Sequence, residues 1–460
     1  MDRAETEQKR DRRGSASASP NRWVIAAAGT VLQLCLGTVY AWSLFQQAIV
    51  AGFGWTNTAT AWAFSVAICV LGVAAAVGGV KLATVGPRRL AVCGILLYAA
   101  GHVIAGAALA AESILLFYFG YGLVGGIGLG LGYVTPVATV ARWFPDRKGL
   151  LTGLVVMGFG LGALLMSKAI APLLLDAFMP AGVADASLAP AYRAALPKVL
   201  ATAGVLLALL GLPAALLLRN PPAAEIAPAG GARAQLGRDR SDAVASILSG
   251  RFAVLWTVLF CNVTAGIMFI GFQSPLLQEL LRTAEPAMSP RELAAAGATL
   301  IAASALANGL GRLFWGGLSD RVGRAAAFQL ILASQVIAFA LLTWVSDPWA
   351  FAALVCYVLL CYGGGFGAAP SIVSELFGQR VMPVVYGALL TAWSTAGIVG
   401  PQLVALLKDR DPQTAAPITF LCGIVVLCVG LIAALALPAP AAGAPAPGDR
   451  ALLVQRFRFR

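Results

Sequence analysis

The chain has 460 residues, 59% of them hydrophobic and only 11% charged, with a mean hydropathy of +0.84. A soluble domain of that length carries far more charge, so the composition excludes a water-soluble enzyme or binding module and leaves an integral membrane protein. The net charge of +12 does not point to nucleic acid, because Lys and Arg sort by side of a membrane rather than gather in one patch.

Residues 1–22 form a charged, Ser/Ala-rich tail without the small-residue cleavage site of a signal peptide, so the first apolar run is read as a retained helix. Six apolar runs follow, at 23–49, 59–80, 90–110, 114–141, 150–175 and 197–218, each near or above the ~20 residues that a spanning helix requires. Residues 220–250 break the pattern with Pro221, Pro222, Pro228 and several Gly and Arg, the composition of a linker. Six more runs lie at 252–280, 293–318, 325–345, 349–376, 383–407 and 416–437, and the chain closes on a Pro/Ala-rich, then basic, tail at 438–460 that suits an anionic lipid surface. The expected domains are thus two six-helix bundles, 23–219 and 251–437, joined by the linker and flanked by the two tails.

With the N-terminus inside, 24 of the 32 Lys and Arg fall in cytoplasmic loops and tails. Arg193, Lys198, Arg282, Arg291, Lys408 and Arg410 fall in outside loops, and Lys168 and Arg312 lie within helices. The bias predicts a multi-pass protein of the cell inner (plasma) membrane with both termini cytoplasmic. The eight cysteines all lie inside predicted helices without ligand spacing, so neither a disulfide framework nor a metal site is expected.

The two bundles repeat one another. Gly78, Gly79 and Gly86 match Gly316, Gly317 and Gly323, while Pro136, Phe144 and Gly153 match Pro370, Phe377 and Gly387, half a chain apart. Parallel duplication of this kind belongs to transporters and predicts a substrate site near the midplane, between the halves. The segment Gly316 to Arg324 has the chemistry of a gate. Its glycines let helix ends approach, Asp320 can accept from arginines across a neighbouring helix end, and Arg321 and Arg324 hold the loop in the cytoplasm. The copy at Gly78 to Arg89 has Lys81 and no aspartate. Glu375, at the inner end of the tenth run, is read as a cap or gate residue.

Arg312 is the most informative single residue. It interrupts an otherwise uncharged run, and an arginine in a membrane helix costs ~3 kcal/mol on insertion scales, so it is expected to have a function. Helical side chains lean toward the helix N-terminus, which in this inward-running helix aims the guanidinium at mid-membrane. Asn308, one turn earlier, shares its face.

The motif Gly316 to Arg324 resembles the loop signature of the major facilitator superfamily. Within it, Gly130-Leu131-Gly132-Tyr133-Val134-Thr135-Pro136 with Ala141-Arg142-Trp143-Phe144-Pro145-Asp146-Arg147-Lys148-Gly149 resembles the oxalate/formate antiporter family, a neighbour of the monocarboxylate transporters. Asn21-Arg22-Trp23, Tyr40-Ala41-Trp42 and Asn308 to Gly316 add to the likeness, which covers nearly the whole chain outside tails and linker. The resemblance implies an all-α fold of twelve transmembrane helices in two pseudo-symmetric bundles. It implies that Arg312 and Asn308 bind a substrate carboxylate and that Tyr40, Tyr133, Tyr362 and Phe366 wall the cavity. Where oxalate-exchanging members carry a lysine in helix eleven, this chain has Trp393, which favours a monocarboxylate over a dicarboxylate held between two cations.

The expected function is therefore secondary transport of a small organic anion by alternating access, as exchange or cation-coupled uptake, by a monomer without cofactor. An oxalate/formate-type dicarboxylate antiporter and a non-transporting sensor on a carrier scaffold are the alternatives. Monocarboxylate transporters often place a proton-binding carboxylate where this chain has Asn308, so no proton relay is evident. His102 is read as an interhelical hydrogen-bonding group rather than a proton carrier, and Lys168 as a residue that snorkels outward.

Overall fold

The structure is a computed structural model and describes residues 21–144, 148–179, 188–221, 241–378 and 381–437. The tails, most of the linker, Pro145, Asp146, Arg147 and Arg380 lie outside the described residues. Twelve helices have the length and apolarity to cross a membrane. In the first half they are α1 (Arg22–Phe53), α2 (Asn57–Leu82), α3 (Pro87–Ala110), α4 (Ile114–Trp143), α5 (Leu151–Phe178) and α6 (Leu188–Leu217). In the second they are α7 (Gly250–Ala284), α8 (Pro290–Val322), α9 (Arg324–Leu342), α10 (Pro348–Phe377), α11 (Val384–Arg410) and α12 (Pro412–Leu435). Residues 241–247 of the linker add a short helix.

Local chemistry sets the helix ends. Thr56, Ser289, Asp347 and Asp411 each cap a following helix through the side-chain oxygen, and Ser289 completes a capping box with Glu292. Gly86 and Gly323, the repeat-related pair, turn the chain from α2 to α3 and from α8 to α9 at φ of 85° and 92°, a backbone region that favours glycine. Three helices depart from α geometry inside the membrane. Gly37–Ala41 in α1 is a 3-10 segment, and Tyr118–Val124 in α4 and Met166–Ile170 in α5 are π-helical. Such segments turn side chains out of the register that an unbroken helix would impose.

The face that holds Arg22, Trp143, Val322 and Phe377 is the one that the charge bias assigns to the cytoplasm, hereafter the inner face. The halves meet where α2 packs on α11 and α5 on α8. Small residues permit the approach: a Cβ on Gly160 of α5 would lie 2.9 Å from the Gly309 Cα of α8. Polar contacts then join the halves. The Ser394 hydroxyl donates to the Cys69 carbonyl at 2.8 Å, and Lys168 Nζ donates to Thr299 Oγ1 at 2.7 Å.

Several expectations about charged and polar residues need correction. Lys408 and Arg410 are not in a loop, because α11 runs through both, and Lys408 is buried against Glu279 of α7 as an ion pair. Arg193 and Lys198 likewise lie in α6, Arg282 in α7 and Arg291 in α8, since these helices project beyond their apolar stretches. Lys168 does not simply reach for water but bonds across to α8. The His102 Nδ1 lies 3.0 Å from the Tyr98 carbonyl of its own helix, with the ring packed against Tyr98 and Tyr121, so its hydrogen bond is within α3 rather than between helices.

Candidate substrate-binding site

Two backbone contacts aim Arg312. A Cβ on Gly363 would lie 2.1 Å from the Asn308 carbonyl oxygen, and one on Gly367 2.3 Å from that of Arg312, so α8 and α10 touch backbone to backbone. The side chains of Asn308 and Arg312 are thereby turned toward the first half, where Gly160 leaves room: its Cβ would lie 3.4 Å from Arg312 Nε. The guanidinium carbon stands 5.1 Å from the centre of the Phe366 ring, a cation–π contact.

Arg312 is 1% exposed, and none of its three guanidinium nitrogens has a hydrogen-bond partner. Both polar atoms of the Asn308 amide are unpaired as well. A buried charge without a partner carries a desolvation cost of several kcal/mol, which an internal carboxylate would normally offset. Arg312 has no ion-pair partner among the described residues. Such an arrangement is built to receive an anion.

Around the cation stands an aromatic box assembled from both halves. The Tyr40 hydroxyl of α1 and the Tyr362 hydroxyl of α10 share a 2.6 Å hydrogen bond across the interface. Trp393 of α11 is the hub, with ring centres 4.8 Å from Phe366, 5.3 Å from Tyr133, 5.8 Å from Phe159 and 6.2 Å from Tyr40. The Trp393 indole nitrogen and the Tyr133 hydroxyl are buried without partners. Between Tyr40, Gln273, Ser304, Asn308 and Leu359 lies a gap of about 170 Å³, counting all space between atoms, too narrow for a water molecule. The site is shut in this structure.

All seven residues expected at the substrate site, Arg312, Asn308, Tyr40, Tyr133, Tyr362, Phe366 and Trp393, are brought together. The reading of the sequence missed Phe159, whose ring packs edge-on against Tyr40 and Tyr133. It also missed Tyr386, whose buried hydroxyl faces that of Tyr133 without a hydrogen bond of ordinary geometry. Two signals were available. Phe159 is the one bulky residue between Gly158 and Gly160, and Tyr386 precedes Trp393 by seven residues, two helical turns.

The expected gate residues gather elsewhere, at the inner end of the second half. Arg324 pairs with Asp320 and bonds Ser319, and its Nε lies 3.9 Å from a Glu375 carboxylate oxygen. Asp320 therefore accepts from an arginine four residues on, not from one across a neighbouring helix end as its motif suggested. Arg324 makes the crossing, tying the α8–α9 turn to α10, because the Gly323 turn folds the two helix ends together. Arg321 is exposed in the last turn of α8. The Lys81 of the first-half copy is also exposed.

Twelve membrane helices in two repeated halves around a shut, cationic midplane site define a membrane carrier. The chain belongs to the Major Facilitator Superfamily, whose family model matches residues 27–401. It is 26% identical over 397 residues to the oxalate:formate antiporter of Oxalobacter formigenes, covering 85% of this chain and 86% of that one. It is 28% identical to the apicoplast pyruvate carrier 1 of Toxoplasma gondii (87% and 86% covered) and 27% identical to monocarboxylate transporter 13 of Rattus norvegicus (84% and 82%). A solved D-xylose-proton symporter shares the fold with a TM-score of 0.67 at 15% identity, over 92% of this chain and 98% of that one.

Proposed function

We propose that this superfamily transporter carries small organic anions, foremost a monocarboxylate, by alternating access across the cell inner membrane, with both termini in the cytoplasm. The observation that carries the reading is the buried, unpaired Arg312 guanidinium facing a box of aromatic rings. A guanidinium meets a carboxylate with two parallel hydrogen bonds, and the surrounding rings exclude the water that would screen the attraction. At an effective dielectric of 20, a contact at 4 Å is worth about 4 kcal/mol. The printed names of the relatives, with oxalate, formate, pyruvate and monocarboxylates among their cargoes, agree with that chemistry.

A single cation favours one carboxylate over two. Trp393 fills the place where a second positive charge would hold a dicarboxylate, and its indole N–H offers a neutral donor instead. Charge also explains coupling. Empty, Arg312 must cross the closed state uncompensated, whereas an arriving anion neutralises it and lowers that barrier, which yields exchange or uptake with a cation. Asp320, Arg321, Arg324 and Glu375 serve as the inner gate, loosening when the inner ends of α8 and α10 part.

The test is counterflow in proteoliposomes with formate, acetate, lactate, pyruvate, oxalate and malonate at two pH values. The single-carboxylate acids exchange; counterflow by oxalate and malonate alone overturns the cargo, and none by any acid overturns the function.

A further inference from the structure

One buried group in the closed site is not used by carboxylate binding. Gln273 of α7 is 1% exposed, lines the gap outward of Arg312, and has an unpaired side-chain oxygen, Oε1. Across the gap, α8 presents Ser304, Asn308 and Arg312 at successive turns of one face. The Ser304 hydroxyl donates to the Ile301 carbonyl at 3.0 Å, so only its lone pairs face the gap, while the Asn308 amide has both a free donor and a free acceptor. The remaining lining is apolar, with Ile270, Ala305 and Leu359.

Resting on the proposed carboxylate site at Arg312, we infer that Gln273, Asn308 and Ser304 form a subsite for a hydroxyl on the carbon next to the carboxylate. The argument is one of hydrogen-bond matching. A hydroxyl both accepts and donates. Bound one turn outward of the guanidinium, about 5.4 Å along the helix axis, it accepts from the Asn308 amide and donates to Gln273 Oε1, satisfying both. A 2-oxo group only accepts, so it leaves the Gln273 oxygen unpaired. A plain methylene leaves both amides unpaired in an apolar wall. Leaving a buried polar atom unmatched costs more than making the bond gains, so the site discriminates chiefly by rejecting acids that lack the hydroxyl. The class of cargo selected is therefore the short 2-hydroxy acids.

The probes are three acids of one carbon skeleton, propanoate, 2-oxopropanoate and 2-hydroxypropanoate, measured for counterflow KM with the full chain in proteoliposomes. In the parent, the hydroxy acid has a KM about tenfold below that of propanoate, with the oxo acid between. Gln273→Leu and Gln273→Met each bring the hydroxy-to-plain ratio to within about twofold. A parent that takes all three acids equally, or a ratio that survives in whichever variant folds, overturns the subsite while the carboxylate reading stands. If the parent exchanges none of the acids, the Arg312 reading fails and the subsite with it. The ranking in the parent needs no variant, so misfolding of the Gln273 variants cannot shelter the idea.

Discussion

Asp409 offers a test of how the halves are held together. Its Oδ1 accepts from the Asn57 backbone N–H at 2.9 Å and the Asn57 amide at 3.0 Å, and its Oδ2 from the Thr58 N–H at 2.7 Å. A carboxylate at the end of α11 thus caps the N-terminus of α2 in the opposite half, where the helix dipole also favours negative charge. Opening the outer face must break all three bonds. The group is exposed, so water replaces much of what is lost, and the latch is worth about 1 kcal/mol rather than the sum of three charged bonds. Asp409→Asn should therefore shift the closed-to-open equilibrium by about fivefold. Spin labels at Ala111 and Glu285, on outer turns of the two halves, with the exposed Cys93 replaced, report the separation. A larger open fraction in Asp409→Asn, restored in Asp409→Glu, is expected. An unchanged distance distribution would refute the latch.

The Lys408–Glu279 pair should respond asymmetrically. Glu279→Gln strands a lysine that is only 7% exposed, at about 3 kcal/mol, whereas Lys408→Met leaves a carboxylate that water reaches, so thermal unfolding in detergent should show the larger loss for Glu279→Gln. Trp393→Lys supplies a second cation near Arg312 and should raise oxalate over formate in counterflow by at least about tenfold; an unchanged ratio would show that helix eleven does not set the cargo's charge. The Arg193 guanidinium beside Glu112 holds that carboxyl below its usual range, so its contribution is full above the ordinary carboxylate pKa and fades as pH falls through the depressed one. The melting difference between parent and Glu112→Gln should accordingly be flat from about pH 6 to 8 and vanish in acid.

Much of this architecture is legible in residue order because a bilayer simplifies the problem. Twelve apolar runs name twelve helices, and a lone arginine in a long uncharged helix marks the midplane between two repeated halves. The runs do not show where helices stop, since α11 continues past its apolar stretch into Lys408 and Arg410, and hydropathy records lipid contact rather than backbone geometry. Pairing was hidden for the same reason. Glu279 and Lys408 are distant in sequence, and Arg324 chooses Asp320 and Glu375 only once the Gly323 turn is folded. Tyr386 escaped notice because it precedes a break in α11 near Leu390, so its place in the site depends on how the two pieces of that helix join.

The central claim rests on the charge of Arg312, and the most direct measurement is carboxylate counterflow by Arg312→Gln beside Arg312→Lys in proteoliposomes of matched protein content. Loss of exchange by about a hundredfold in Arg312→Gln, with partial recovery in Arg312→Lys, is the predicted result. Exchange by Arg312→Gln at the parent's rate and KM would contradict the account.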